Sequence, residues 1–133
     1  MVTTDNPSNF VKGITSLYYL LINVDGVVHE KEIQSGNIMV RHEHIDERYF
    51  HSLLEQFEET DDDLLYDTCL SSLRRCDKKA QIRAIAWISR IADADGYLDP
   101  KEWSLIYKTY DSELKLDLKK ILEVRKRLPI SWN

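Results

Sequence analysis

Two short acidic segments carry the residues of this chain that could do chemistry. The first reads Asp25-Gly26-Val27-Val28-His29-Glu30-Lys31-Glu32, the second Asp95-Gly96-Tyr97-Leu98-Asp99-Pro100-Lys101-Glu102. Each is Asp-Gly, any residue, an aliphatic, three residues, then Glu. Each copy therefore brings two carboxylates, at a spacing that could serve a cation. An oxygen-only donor set suits hard ions such as Ca²⁺, Mg²⁺ or Mn²⁺ better than Zn²⁺. One copy supplies too few oxygens for Ca²⁺ alone; two adjoining copies with water could suffice.

Such turns need helices to hold them, and the flanking sequence provides a helical period on both sides. Asn6-Pro7 reads as a cap with proline at the first helical position. Phe10, Val11, Ile14, Leu17, Tyr18 and Leu21 then recur at helical spacing up to Asp25-Gly26. A second helix is predicted over about 30–41, weakened by Gly36 and Asn37. A third starts near Ile45 and places Tyr49, Phe50, Leu53, Leu54 and Phe57 on one face. A fourth follows Asp61-Asp62-Asp63 with Leu65, Cys69, Leu70 and Leu73 inward. Asp77 caps a fifth bearing Ile82, Ile85, Ile88, Ile91 and Ala92, which the second Asp-Gly ends. Asp99-Pro100 starts a sixth with Trp103, Ile106, Tyr107 and Tyr110. After Asp111-Ser112 a seventh carries Leu114, Leu118, Ile121 and Leu122 and stops before Pro129. No alternating strand pattern of useful length is present. The expectation is all-α: one compact bundle of about seven helices, a single domain over 1–133, with the short loops of bundles.

Aligning Gly26 with Gly96 also aligns Leu17 with Trp87, Leu21 with Ile91, Val28 with Leu98, Glu32 with Glu102 and Ile33 with Trp103. This predicts an internal helix-turn-helix duplication. The two halves should pack on each other and bring the two acidic turns close. Leu21, Ile91, Val28 and Leu98 should be buried, and both glycines should take positive φ to close their helices. Trp87 and Trp103 read as core by spacing, and Trp132 as the exposed one of the three tryptophans.

The second copy has the look of an EF-hand, with Asp93, Asp95, Gly96 and Glu102 in register. The first ligand position would then be Ile91, and Leu21 in the other copy. An EF-hand needs a carboxylate there, so that reading is rejected. What the residues do resemble is the TerB family, the tellurite-resistance helical module, whose fold is also seen in the N-terminal region of a membrane-anchored J-domain co-chaperone. The family shows paired copies of Ala-Asp-Gly, a residue, an aliphatic, three residues and Glu. The stretch from Ala94 to Glu102 fits; the first copy departs by one residue, Val24 in place of alanine. The resemblance runs over about 10–110, and no J domain is present. It implies a non-enzymatic stress-response module that binds a divalent cation and a protein partner. It also implies an acidic metal site formed by Asp25, Glu32, Asp95 and Glu102, with Asp93 and Asn23 as weaker additions.

A plainer reading stands beside it. Asp99-Pro100-Lys101-Glu102 is a capping box, in which Glu102 would satisfy a backbone N–H. Asp25 and Asp95 would be turn residues before glycine, and Glu30 and Glu32 would sit where the helix dipole favours them. Capping alone explains each copy locally and gives a metal-free helical interaction domain. It explains less well why Asp25 and Asp95 match, since a helix end favours positive charge.

Other features exclude more than they suggest. The chain has 133 residues and a formal net charge of −5, which does not fit a nucleic-acid binder. No apolar run approaches a membrane span, and the start lacks a signal peptide's pattern. A cytoplasmic protein is expected. Cys69 and Cys76, seven apart on a helix, would be separated by about 10 Å, beyond disulfide reach, and are predicted free. His42 and His44 flank Glu43 but point to different sides of a helix, a poor zinc site. Cys69 with His51 has no context as a nucleophile pair. The run Lys115, Lys119, Lys120, Arg125, Lys126 and Arg127, interrupted by Asp117 and Glu123, reads as a solvated face. Its other use would be a contact for an acidic partner or a peripheral membrane contact.

Overall fold

A computed structural model describes residues 7–94, 96 and 99–129, and among them all regular structure is helical. The elements are α1 (Pro7–Asn23), α2 (Glu30–His42), α3 (Glu47–Glu58), α4 (Asp62–Arg74), α5 (Lys78–Ala92), α6 (Pro100–Tyr107) and α7 (Leu118–Arg125). A π-helical segment, Lys108–Glu113, continues α6.

Aspartates start most of these helices. Asp46, Asp61, Asp77, Asp99 and Asp117 each accept backbone N–H groups from the first turn of the helix that follows. Such caps satisfy donors that the helix itself leaves open. The Asp77 and Asp99 caps, and Pro100 in the first turn of α6, were legible in the sequence. Helix α2 has no side-chain cap; its first turn instead carries Glu30 and Glu32, and its last turn Arg41 and His42. That polarity suits the dipole.

The bundle is organised around α1 and α5. Helix α1 packs on α3, α4 and α5, while α5 also meets α2, α6 and α7. Ile14, Leu17 and Leu21 of α1 and Ile85, Trp87, Ile88 and Ile91 of α5 are fully buried. A smaller cluster of Leu53, Phe57 and Leu65 lies under α3 and α4. Burial of this kind is the main stabilising term, at about 1.5–3 kcal/mol per large side chain.

Both turn glycines have φ +81°, as the sequence predicts. Each donates its N–H to the carbonyl three residues back, Gly26 to Asn23 at 3.1 Å and Gly96 to Asp93 at 2.9 Å. Leu21 and Ile91 are buried as expected. Val28 is not: it is half exposed, because it lies in the open connection before α2 where no helix covers it. Leu98 and Trp132 lie outside the described residues.

Three further expectations need correction. Trp103, aligned with core positions, is 37 % exposed, and Tyr49 similarly so. Trp103 instead lies against the edge of the core, tilted over Tyr110. No helix begins after Asp111-Ser112. The chain there stays helical with a wider turn, the Leu114 N–H reaching the Thr109 carbonyl at 2.9 Å. Helix α7 begins only at Leu118, after Lys115 takes a left-handed φ of 55°. Leu118 and Leu122 consequently face solvent, while Leu114 and Ile121 are buried.

Both cysteines are free and buried. Burial pushes the Cys69 thiol up to about 12, which makes it a packing residue rather than a nucleophile. Glu43 is not available to a metal with His42 and His44. It accepts from the Trp87 indole N–H at 2.7 Å and from Arg83 Nε at 2.6 Å.

Candidate functional site

The first turns of α2 and α6 meet, and they bring Glu32 and Glu102 together. Each glutamate is the third residue of its helix, and each side chain points inward. Glu32 is 1 % and Glu102 2 % exposed. Their carboxyls are hydrogen-bonded to each other, and Glu102 Oε2 is buried with no hydrogen-bond partner. Burial first, then the bond to Glu32 and the negative charges of Glu32, Asp25 and Asp99, push the Glu102 carboxyl up to about 9. Two carboxylates this close in a low-dielectric interior cannot both ionise cheaply, so the pair shares a proton. The charges acting on Glu102 are all negative.

Asp25 stands at the edge of this pair. Its Oδ1 accepts the Val27 N–H at 3.0 Å and its Oδ2 lies 3.4 Å from His29 Nε2. The Val27 bond, with a smaller share from His29, holds the Asp25 carboxyl below its usual range. Asp25 is therefore an ionised group beside a protonated pair.

The capping reading is half right. Asp99 does cap α6, accepting from Lys101 N–H at 2.8 Å and from Glu102 N–H at 3.4 Å. The reciprocal half of the box is missing, since Glu102 turns to Glu32. Of the remaining candidates, Asn23 is exposed and donates to the Tyr19 carbonyl. Asp93, just past the end of α5, pairs with Arg125. Neither joins the glutamates. Asp95 lies outside the described residues. Among the described residues, no three His, Cys, Asp or Glu side chains gather as a metal cage.

Sequence reasoning missed what supports the pair. The Tyr18 hydroxyl, buried in α1, donates to the Glu32 carbonyl at 3.2 Å. It reaches that position because Gly36 has no side chain; a Cβ there would lie 2.4 Å from the hydroxyl. Gly36, read as a weakness of α2, is the place where α1 enters its surface. A conspicuous glycine in an otherwise helical stretch was the only available signal.

The fold and this pair define a class: an all-helical domain whose two acidic helix starts converge on one buried glutamate pair. A family model described as tellurite resistance protein TerB matches residues 12–120, and the chain belongs to that family. No curated protein and no solved structure matches it significantly.

Proposed function

We propose that this TerB-family domain is a non-enzymatic stress-response module of the tellurite-resistance type. It takes up a divalent cation at the glutamate pair and transmits its state to a protein partner. One observation carries the reading. Glu32 and Glu102 come from different helices and are both buried, and the charges acting on Glu102 are negative. A structural role would be served as well by apolar residues, and more stably. A cation that displaces the shared proton would find up to four carboxylate oxygens there, one of them an orphaned acceptor. Asp25 stands next to them, and Asp95 is the matching residue of the second turn. Oxygen donors of this kind fit Ca²⁺, Mg²⁺ or Mn²⁺, with water completing the shell. The bound ion would supply the positive charge that the pair lacks. Two free thiols support placing the protein in the reducing cytoplasm; among the described residues no helix is long and apolar enough to cross a membrane.

The alternative is a metal-free helical interaction domain. It is favoured by the Asp99 cap and by the turn that Asp25 closes with Val27, which give both aspartates structural work.

Thermal melts separate the two. A cation that binds only the folded state raises the melting temperature as its concentration exceeds its dissociation constant. We expect such a rise with at least one of Ca²⁺, Mg²⁺ and Mn²⁺ over chelator, and its loss in Glu102→Gln and Asp95→Asn. Melts unchanged by all three ions at millimolar levels would leave the interaction domain as the correct reading.

A further inference from the structure

Helix α7 lies on the outside of the bundle, packed chiefly on α5. Ile121 is its buried contact, at 1 % exposure. One turn apart on the outer side, Leu118 and Leu122 are 40 % and 44 % exposed. At 100° per residue, Lys119 and Lys126 fall beside Leu122 on that same side. Between residues 115 and 127 stand six cations, Lys115, Lys119, Lys120, Arg125, Lys126 and Arg127, against the carboxylates of Asp117 and Glu123. Asp117 is occupied in capping α7 at the Lys119 N–H. Arg125 pairs with Asp93. The other five cations make no ion pair among the described residues. In a chain of net charge −5, this concentration of unneutralised positive charge is local to one helix and its flanks.

We propose that α7 docks on an anionic bilayer surface. The cations would be held against the headgroups, and Leu118 and Leu122 would enter the boundary with the acyl chains. Charge complementarity selects an anionic occupant, since the excess of cations lies on the exposed side. The interleaving of leucine and lysine along one outer helix is the pattern of an interfacial helix, with apolar groups below and long cationic side chains reaching outward. A ridge on the outside of a bundle matches a deformable headgroup layer. Clusters of basic residues gain affinity from each cation near such a surface, and the attraction fades within a Debye length. Two leucines give shallow insertion, so binding is reversible and salt-dependent.

The test is co-sedimentation of the full chain with phosphatidylcholine vesicles, with and without phosphatidylserine. Chelator is present throughout, so that the result does not depend on the cation reading. The expected result is binding at least about tenfold stronger to the phosphatidylserine vesicles, lost at high salt. Lys119→Glu with Lys126→Glu should abolish it. Leu118→Ser with Leu122→Ser should weaken it several-fold at unchanged charge. All four residues are exposed, and unchanged melts of both variants check that each is folded. Binding to neither vesicle, equal binding to both, or full binding by the charge-reversed variant overturns the proposal. Full retention by the serine variant overturns it too, and points to an acidic protein as the occupant of the cations.

Discussion

Tyr18 reaches α2 through the gap left by Gly36. The ring carbon that bears its hydroxyl would lie 2.5 Å from a Cβ on that glycine, and the hydroxyl itself 2.4 Å. Two effects of Gly36→Ala therefore oppose one another. Alanine is the better helix former by about 1 kcal/mol. Forcing a methyl into an occupied space costs about 1–3 kcal/mol or more. The contact is with a buried aromatic ring rather than a flexible chain end, so the clash should win. Gly36→Ala is expected to lower unfolding stability in urea. Tyr18→Phe on top of it should restore only part, because the ring carbons remain as close as the oxygen. A Gly36→Ala protein more stable than the parent would show that α1 can retreat from α2.

The pair of residues above also shows what a sequence can reveal here. Caps and turn closures are local: Asp77, Asp99-Pro100 and the two positive-φ glycines follow from a few neighbouring residues. The approach of the helix starts that carry Glu32 and Glu102 was legible only through the similarity of the two acidic segments, which suggested that they lie near one another. Burial of individual positions was less legible. Val28 and Leu98 align, yet Val28 is exposed, since alignment says nothing about which neighbour covers a site. The sequence places a new helix after Asp111-Ser112, two residues that disfavour helix interiors. Thr109 and Tyr110 override that preference. Both are buried, and the Thr109 hydroxyl is bonded to the Tyr66 hydroxyl at 2.9 Å, so packing carries the helix through.

The glutamate pair predicts an unusual pH dependence when divalent ions are chelated. Glu102 is raised in the folded state, so the folded protein holds a proton that the unfolded chain releases near pH 4.5. The stabilisation is fully present below that unfolded value and is lost as pH rises toward the folded one. Melts in chelator should therefore fall between about pH 5 and 8, by about 1 kcal/mol or more. Asp25, whose carboxyl is lowered, works in the opposite sense and matters only at lower pH. Glu102→Gln removes the titrating group and should flatten the profile. A parent protein whose stability is level across that range in chelator would mean that the pair is ionised and compensated.

Glu43 joins two helices at a single carboxylate, accepting from Trp87 Nε1 on α5 and from Arg83 Nε. Trp87 is fully buried, so its N–H has nowhere else to turn. Glu43→Ala should cost about 1–3 kcal/mol, the penalty for a buried donor left unmatched. Glu43→Gln keeps an acceptor and loses only the charge toward the exposed Arg83, so it should cost less than half as much. Chemical denaturation gives both numbers, and the change of Trp87 fluorescence in the alanine variant locates the effect. Equal losses in the two variants would assign the stability to the Arg83 ion pair instead.

The two turn glycines offer a test in which sterics drop out. Apart from chain neighbours, no atom of the described residues lies within 4 Å of the place where a Cβ would stand on Gly26 or Gly96, and both have φ +81°. Any cost of substitution is therefore backbone strain. A left-handed conformation costs an ordinary L-residue about 1–2 kcal/mol, and asparagine tolerates it better. Valine at either position should lower stability by about 1 kcal/mol or more, and asparagine should recover most of that. Because the two positions share the same φ and the same open surroundings, the losses at Gly26 and Gly96 should agree. Urea denaturation of the four single variants measures this directly. A valine variant as stable as its asparagine counterpart at both sites would show that the turns can close without the left-handed residue.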